Sequence, residues 1–203
     1  MQLDVTDARS IAAAVKAVRE ANRERVDGHN NRPQCRIDYF VNNAAVFLDG
    51  DPALLRSAAL RESLRVNFEG VARTTRAFLP LLGQRAKVLN VSSLVGAEVL
   101  GLLGAARRAR LESPESEAAL FDVAADISEA LEEPLGALGY SSLPTPAHGV
   151  SKCLLNAWTR LLAKERPDLR VNAIAPGRLR DVRRADTPQT RRGDAAAATW
   201  IFL

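Results

Sequence analysis

The stretch Ile37-Asp38-Tyr39-Phe40-Val41-Asn42-Asn43-Ala44-Ala45 decides how the rest of the chain is read. Its opening run is short, aromatic and β-branched, which predicts a buried strand over 37–41. The pair Asn42-Asn43 ends it, because asparagine favours turns over ladders. Two later runs have the same form. Ala86-Lys87-Val88-Leu89-Asn90-Val91 leads into Ser92-Ser93, and Arg170-Val171-Asn172-Ala173-Ile174 leads into Pro176-Gly177. Each predicted strand is thus followed by small, polar or Gly/Pro residues, which let backbone approach a ligand closely.

Helical patterns separate these strands. Thr6 can cap a helix over 7–26 whose apolar positions Ile11, Val15 and Val18 share one face. A second helix spans 57–82 through Leu60, Leu64, Val71 and Phe78, and a third covers 147–165. Alternating strands and helices predict one α/β domain over 1–203, a parallel sheet with flanking helices and a ligand site at the strand C-terminal ends. The segment 97–143 breaks this rhythm. It is acidic and alanine-rich, contains Pro114 and Pro134, and predicts two short helices around 101–110 and 115–132. We read it as an inserted helical segment, either a covering lid or a surface excursion, with a partner-binding flap as the alternative.

Composition narrows the function classes. With 47% hydrophobic and 26% charged residues the chain is globular in type, not disordered or filamentous. Cys35 and Cys153 lie far apart without metal-ligand spacing, so no metal site is expected and both read as structural thiols. Arg178, Arg180, Arg183, Arg184, Arg191 and Arg192 form a basic run, yet the net charge is only +4 and no nucleic-acid motif accompanies it. A solvated surface and no nucleic-acid partner are expected. No run reaches the roughly 20 apolar residues of a membrane span, and Met1-Gln2-Leu3-Asp4 lacks the order of a signal peptide. The expected location is cytoplasmic.

Taken together, the strand-end motifs resemble the short-chain dehydrogenase/reductase family, most closely its monomeric carbonyl-reductase branch, across residues 2–203. Leu3-Asp4-Val5 is similar to the segment whose Asp contacts adenine. Asn43-Ala44-Ala45 resembles the Asn-Ala-Gly motif with its last glycine replaced. Val66-Asn67-Phe68-Glu69-Gly70 resembles the helical segment bearing the catalytic Asn. In Asn90-Val91-Ser92-Ser93 the spacing favours Ser93 over Ser92 as the catalytic serine, and Pro176-Gly177 matches the loop that approaches nicotinamide. The resemblance implies a Rossmann-like fold acting on a small-molecule carbonyl or alcohol with NADP, or NAD, as cofactor. It implies catalytic roles for Asn67, Ser93, residue 148 and Lys152, and cofactor contacts from Asp4, Val5, Asn43, Ala44, Ala45, Lys152, Pro176 and Gly177.

Three departures qualify the expected chemistry. The family's Tyr-x-x-x-Lys reads here His148-Gly149-Val150-Ser151-Lys152. Spacing four keeps both side chains on one helix face, but the Lys152 charge that helps a phenol ionise opposes a second positive charge on an imidazole. His148 is either a replacement acid or a tolerated polar residue, with Tyr140 as another phenol in the vicinity. The Gly-rich phosphate turn and first βαβ unit are lacking, so weak cofactor binding is expected, and Asp181 stands where the family commonly has Thr. The sheet is expected to show three strands, an open edge at 37–41, and a chain that stops at Trp200-Ile201-Phe202-Leu203 short of a final strand. An inactive partner-binding relative of the family is the competing reading.

Overall fold

Helix α1 (Ala8–Arg23) starts where Asp7 accepts the Arg9 N–H through its carboxylate, at 2.9 Å, and buries Ile11 and Ala14 on one face. The structure, a computed structural model, describes residues 2–23, 37–49, 56–130, 145–177 and 199–201. Strand β1 (Ile37–Asn42) follows; Asn42, read above as the turn that ends the strand, is its last residue and is buried. The single helix expected over 57–82 is divided into α2 (Arg56–Leu64), a π-helical turn (Arg65–Gly70), α3 (Val71–Phe78) and a 3-10 turn over Leu79–Leu81 that contains Pro80. Proline has no N–H to continue the helix, and the chain turns there into β2 (Leu82–Val91).

β2 begins four residues earlier than the apolar run predicted. Its extra residues are absorbed as an irregularity: Ile37 pairs with Leu82, but Tyr39 already pairs with Lys87, and Arg85 sits at φ 65° within the bulge. Next come α4 (Leu94–Leu102), α5 (Ala105–Glu112), α6 (Glu117–Ala130) and the 20-residue α7 (Pro146–Glu165), then β3 (Arg170–Ala175) and β4 (Thr199–Ile201). The sheet order is β1-β2-β3-β4. The first three strands are parallel, and β4 runs antiparallel against β3, a fourth strand the sequence reading did not anticipate.

The side chains of the three parallel strands sort by period two. Phe40, Asn42, Ala86, Val88, Asn90, Val171, Ala173 and Ala175 are buried or nearly so, and Phe40 and Val88 belong to the core that the helices build. The alternate row, Tyr39, Val41, Lys87, Leu89 and Ile174, is half-buried or exposed, with Val41 55% exposed on the terminal strand β1. α7 lies at the centre of the core: Leu154, Leu155, Trp158 and Leu162 are fully buried.

The described part of the 97–143 segment is neither lid nor surface excursion. Leu111, Leu120, Val123 and Ile127 are almost wholly buried in the same cluster as Phe68 and Trp158. Burying such side chains is worth about 1.5–3 kcal/mol each, so α5 and α6 form a wall of the core. The wall is also tied polar to polar. Glu117 accepts from the Trp158 indole N–H at 3.0 Å, and Arg76 pairs with Glu117 at 2.8 Å and Glu165 at 2.7 Å, joining α3, α6 and α7. Residues 131–144, with Tyr140, lie outside the described residues, as do Cys35, Asp181 and the basic run 178–192.

Candidate active site

The site is assembled where α4 crosses α7, and two glycines permit the crossing. A Cβ on Gly96 would stand 2.7 Å from the Lys152 carbonyl carbon, and one on Gly149 would stand 2.8 Å from Val99 and 2.9 Å from Val95. No side chain fits at either position without the helices parting. The first turn of α4 is thereby laid on the turn of α7 that carries Lys152, which brings Ser93 to the same end of the sheet.

Ser93 is the N-cap of α4; its Oγ accepts the Val95 N–H at 3.4 Å, and its hydroxyl hydrogen has no acceptor among the described residues. Ser92 is the opposite case. Buried, it donates to Asn156 Oδ1 at 2.6 Å. The preference for Ser93 as the serine able to reach a ligand therefore has a structural basis, with Asn156 the unforeseen residue that occupies its neighbour.

Asn67 lies in the π-helical turn, fully buried, with its amide completely engaged. It accepts the Val46 N–H at 2.8 Å and donates to the Val46 carbonyl at 3.0 Å and to Ser151 Oγ at 3.0 Å. Ser151 in turn donates to the His148 carbonyl at 2.8 Å. π turns recur at functional sites because they re-aim a few side chains within a helix; here the turn aims Asn67 at the loop after β1 and at α7 together.

Lys152 is 3% exposed, and its Nζ donates to the Val91 carbonyl at 2.7 Å. No carboxylate among the described residues pairs with it, and burial lowers its pKa to about 8. His148, one turn earlier on α7, has its pKa lowered too. Burial is the larger cause and the Lys152 charge the second, while Asp49 and the Val46 backbone act in the other direction. Sequence reasoning named the Lys152 effect and missed the burial. The His148 Nδ1 atom is buried without a hydrogen-bond partner among the described residues, and the ring lies 5.3 Å from that of Phe47, which is 60% exposed.

The remaining predicted residues frame this cluster unequally. Asn43, Ala44 and Ala45 are exposed at the end of β1, and Pro176-Gly177 follows β3, with Gly177 at φ 73°, a conformation suited to glycine. Val5 packs against Gly70 at the end of the π-helical turn. Asp4 is drawn into its own turn: its Oδ1 accepts from the Thr6 N–H at 2.8 Å and hydroxyl at 2.7 Å, and these bonds hold its carboxyl below the usual range. Asp49, which no motif flagged, accepts from the backbone N–H groups of Ala147 at 2.9 Å and His148 at 2.8 Å. Among the described residues no cluster of three or more metal-ligating side chains occurs, and no helix is long and apolar enough to cross a membrane.

The sequence profile of a family described as short chain dehydrogenase matches residues 1–105. A (+)-neomenthol dehydrogenase of Arabidopsis thaliana is 27% identical over 87% of this chain and 62% of its own length. A short-chain dehydrogenase/reductase 1 of Saponaria officinalis is 33% identical over 70% of this chain and 55% of its own. The chain thus spans about 55–62% of the length of these curated relatives. Among solved structures, a menthone neomenthol reductase from Mentha piperita superposes with a TM-score of 0.69 at 25% identity, covering 87% of this chain and 69% of the other.

Proposed function

The chain belongs to the short-chain dehydrogenase/reductase family, and from that premise we propose that it serves the interconversion of a small-molecule carbonyl and its alcohol with a nicotinamide cofactor, NADP in first place and NAD as the alternative. What supports this reading is Ser93 at the N-cap of α4, the close approach of Gly96 on α4 to Lys152, and the His148–Lys152 pair one turn apart on α7.

The donor set fits the ribose and nicotinamide half of such a cofactor. Lys152 offers an amine with protons to spare, Asn43-Ala44-Ala45 an exposed rim of small side chains, and Gly177 a backbone free of a Cβ. When bound, the cofactor supplies or takes up a hydride at the substrate carbon. The protein's share is the proton. In the oxidising direction a neutral His148 imidazole takes the proton of the alcohol O–H while Ser93 donates to the same oxygen. In the reducing direction the imidazolium returns it. Because burial and Lys152 keep the ring neutral near pH 7, the oxidising direction suits it better.

The two directions differ in pH dependence. His148 has a depressed pKa, so its base form fills as pH rises through that value, below the ordinary 6.5. Alcohol oxidation is expected to be flat near neutrality and to fall in acid, whereas carbonyl reduction rises as pH falls. The test is turnover of alcohol, aldehyde and quinone panels with NADP(H) and NAD(H), for the native chain and for His148→Tyr. The phenol variant is expected to raise carbonyl reduction at pH 7 at least about tenfold, a conservative share of the roughly 100- to 10,000-fold that general acids contribute. A faster native enzyme overturns the view that His148 is a compromised acid. A second reading, a member of the family without turnover, rests on the burial of the His148 ring and its depressed pKa, which leaves little imidazolium near neutrality, and it gains ground if neither protein turns over any substrate.

A further inference from the structure

We propose that Asp49 is a positioning residue of this site: from the loop after β1 it holds the first turn of α7 and so fixes the His148 ring against Phe47. The proposal rests on the reading of His148 as the proton-transferring group and adds what sets its place.

Three observations converge. The first is the capping itself. Thr145, the residue at the N-cap of α7, makes no side-chain cap bond, so the free N–H groups of the first turn are satisfied from outside the helix. Both Asp49 oxygens are used, one on Ala147 and one on His148, residues 98 and 99 positions away in sequence. The second is that the same loop is pinned again a few residues earlier. Val46 is held by both its backbone groups to Asn67, which continues through Ser151 to the His148 carbonyl. His148 therefore has its N–H bound through Asp49 and its C=O through Ser151, with both threads returning to the 46–49 loop. The third is Phe47, which stands between those two anchor points and meets the His148 ring at 5.3 Å with the planes 58° apart.

Charge follows the same geometry. Two ionised groups act on the ring: Lys152 from its own helix and Asp49 from the loop. Among the described residues no other charged group acts on the ring; α4 presents Val95 and Val99 to Gly149 and the π-helical turn presents the uncharged Asn67. Asp49 is the anion that partly offsets Lys152 and the positive end of α7. Without it, the charges among the described residues that act on the ring are positive.

The test is an NMR pH titration of the imidazole in the full-length chain. The sequence has two histidines, so His29→Gln leaves His148 as the sole signal. In that background Asp49→Asn keeps an oxygen to cap with and removes the charge; Asp49→Ser keeps a short cap acceptor; Asp49→Ala removes both. The expected result is a downward move of the His148 titration midpoint in Asp49→Asn with thermal stability close to native, together with changed ring shifts of His148 and Phe47 in Asp49→Ser. Asp49→Ala is expected to lose stability as well, and the first two variants keep the test decisive should it not fold. An unmoved midpoint and unmoved ring shifts in both Asp49→Asn and Asp49→Ser overturn the proposal and reduce Asp49 to an ordinary helix cap. The titration reads the ring without turnover. Moved His148 and Phe47 ring shifts in an inactive protein therefore uphold Asp49 while removing the dehydrogenase reading.

Discussion

Two rows of buried polar side chains run through this molecule, one across the sheet and one at its rim. In the sheet row Asn42 donates to Thr75 on α3 at 2.9 Å and to Asn90 on β2 at 2.8 Å, Asn90 donates to Thr159 on α7 at 2.8 Å, and both threonines pass their own protons to helix carbonyls one turn back. Asn42 and Asn90 are direct partners in the β1–β2 register, so the row crosses the sheet at right angles to the strands. Each of these side-chain amide and hydroxyl donors has an acceptor. The rim row, Asn67, Ser151, His148 and Lys152, is satisfied at its beginning and not at its end: among the described residues Nδ1 of His148 has no partner and the Lys152 ammonium meets only the Val91 carbonyl. The difference separates structure from chemistry. The matched groups hold the helices to the sheet, whereas the mismatched groups carry shifted pKa values and capacity to react.

Breaking the satisfied row has the largest expected effect. Asn90→Leu keeps roughly the side-chain volume, strands one Asn42 amide proton and leaves Thr159 without its donor. A loss of about 3 kcal/mol is expected in denaturant unfolding, since a buried polar group left unpaired costs about 1–3 kcal/mol. A loss well under 1 kcal/mol is the outcome that would deny this row its structural role.

The rim row is expected to answer with the opposite sign. Lys152 falls from 10.5 to about 8 on folding, which corresponds to about 3 kcal/mol of penalty for the charged form. Losing the bond to Val91 returns about 1 kcal/mol of that. Lys152→Met is therefore expected to stabilise the fold by about 2 kcal/mol near pH 7 while ending any turnover. The sign follows from proton counts: between pH 8 and 10.5 the unfolded chain holds more protons at this site, so native stability rises with pH and the variant's advantage fades. Equal stability of the two proteins across pH 7 to 11 would contradict it.

The smallest effect is expected at the satisfied end of the rim row. Ser151→Ala removes one acceptor from Asn67, which keeps both Val46 bonds, and one donor from the His148 carbonyl. About 1 kcal/mol of stability is expected to go. Should it cost as much as Asn90→Leu, the contrast between the rows is one of position rather than of satisfaction.

Much of this was legible in the chain. Short β-branched and aromatic runs placed β1, β2 and β3, and the residues at their ends marked the rim, because residue type and turn chemistry act locally; β1, read as a buried strand, instead exposes Tyr39 and Val41. The His148-to-Lys152 spacing was legible for the same reason, one helical turn being fixed by backbone geometry. Illegible were the π-helical turn, the core role of α6, the depth of Lys152 and the reach of Asp49. The helical pattern through Leu60, Leu64, Val71 and Phe78 is equally consistent with an unbroken helix. In the π turn Asn67 is held by Val46 and Ser151, partners 21 and 84 residues away, which no local pattern records. The acidic, alanine-rich composition of α6 reads as surface, and Leu120, Val123 and Ile127 become core only once Trp158 and Phe68 lie against them.

By itself, then, the sequence determined which residues form strands and helices, which types of residue stand at the strand ends, and that an imidazole and an amine share one face of α7. Only the tertiary structure decided which polar groups find partners. A hydrogen bond between positions nearly 100 residues apart leaves no periodic trace in a sequence, yet it is burial and partnership that settle whether an asparagine holds a sheet together or a lysine is forced toward its neutral form.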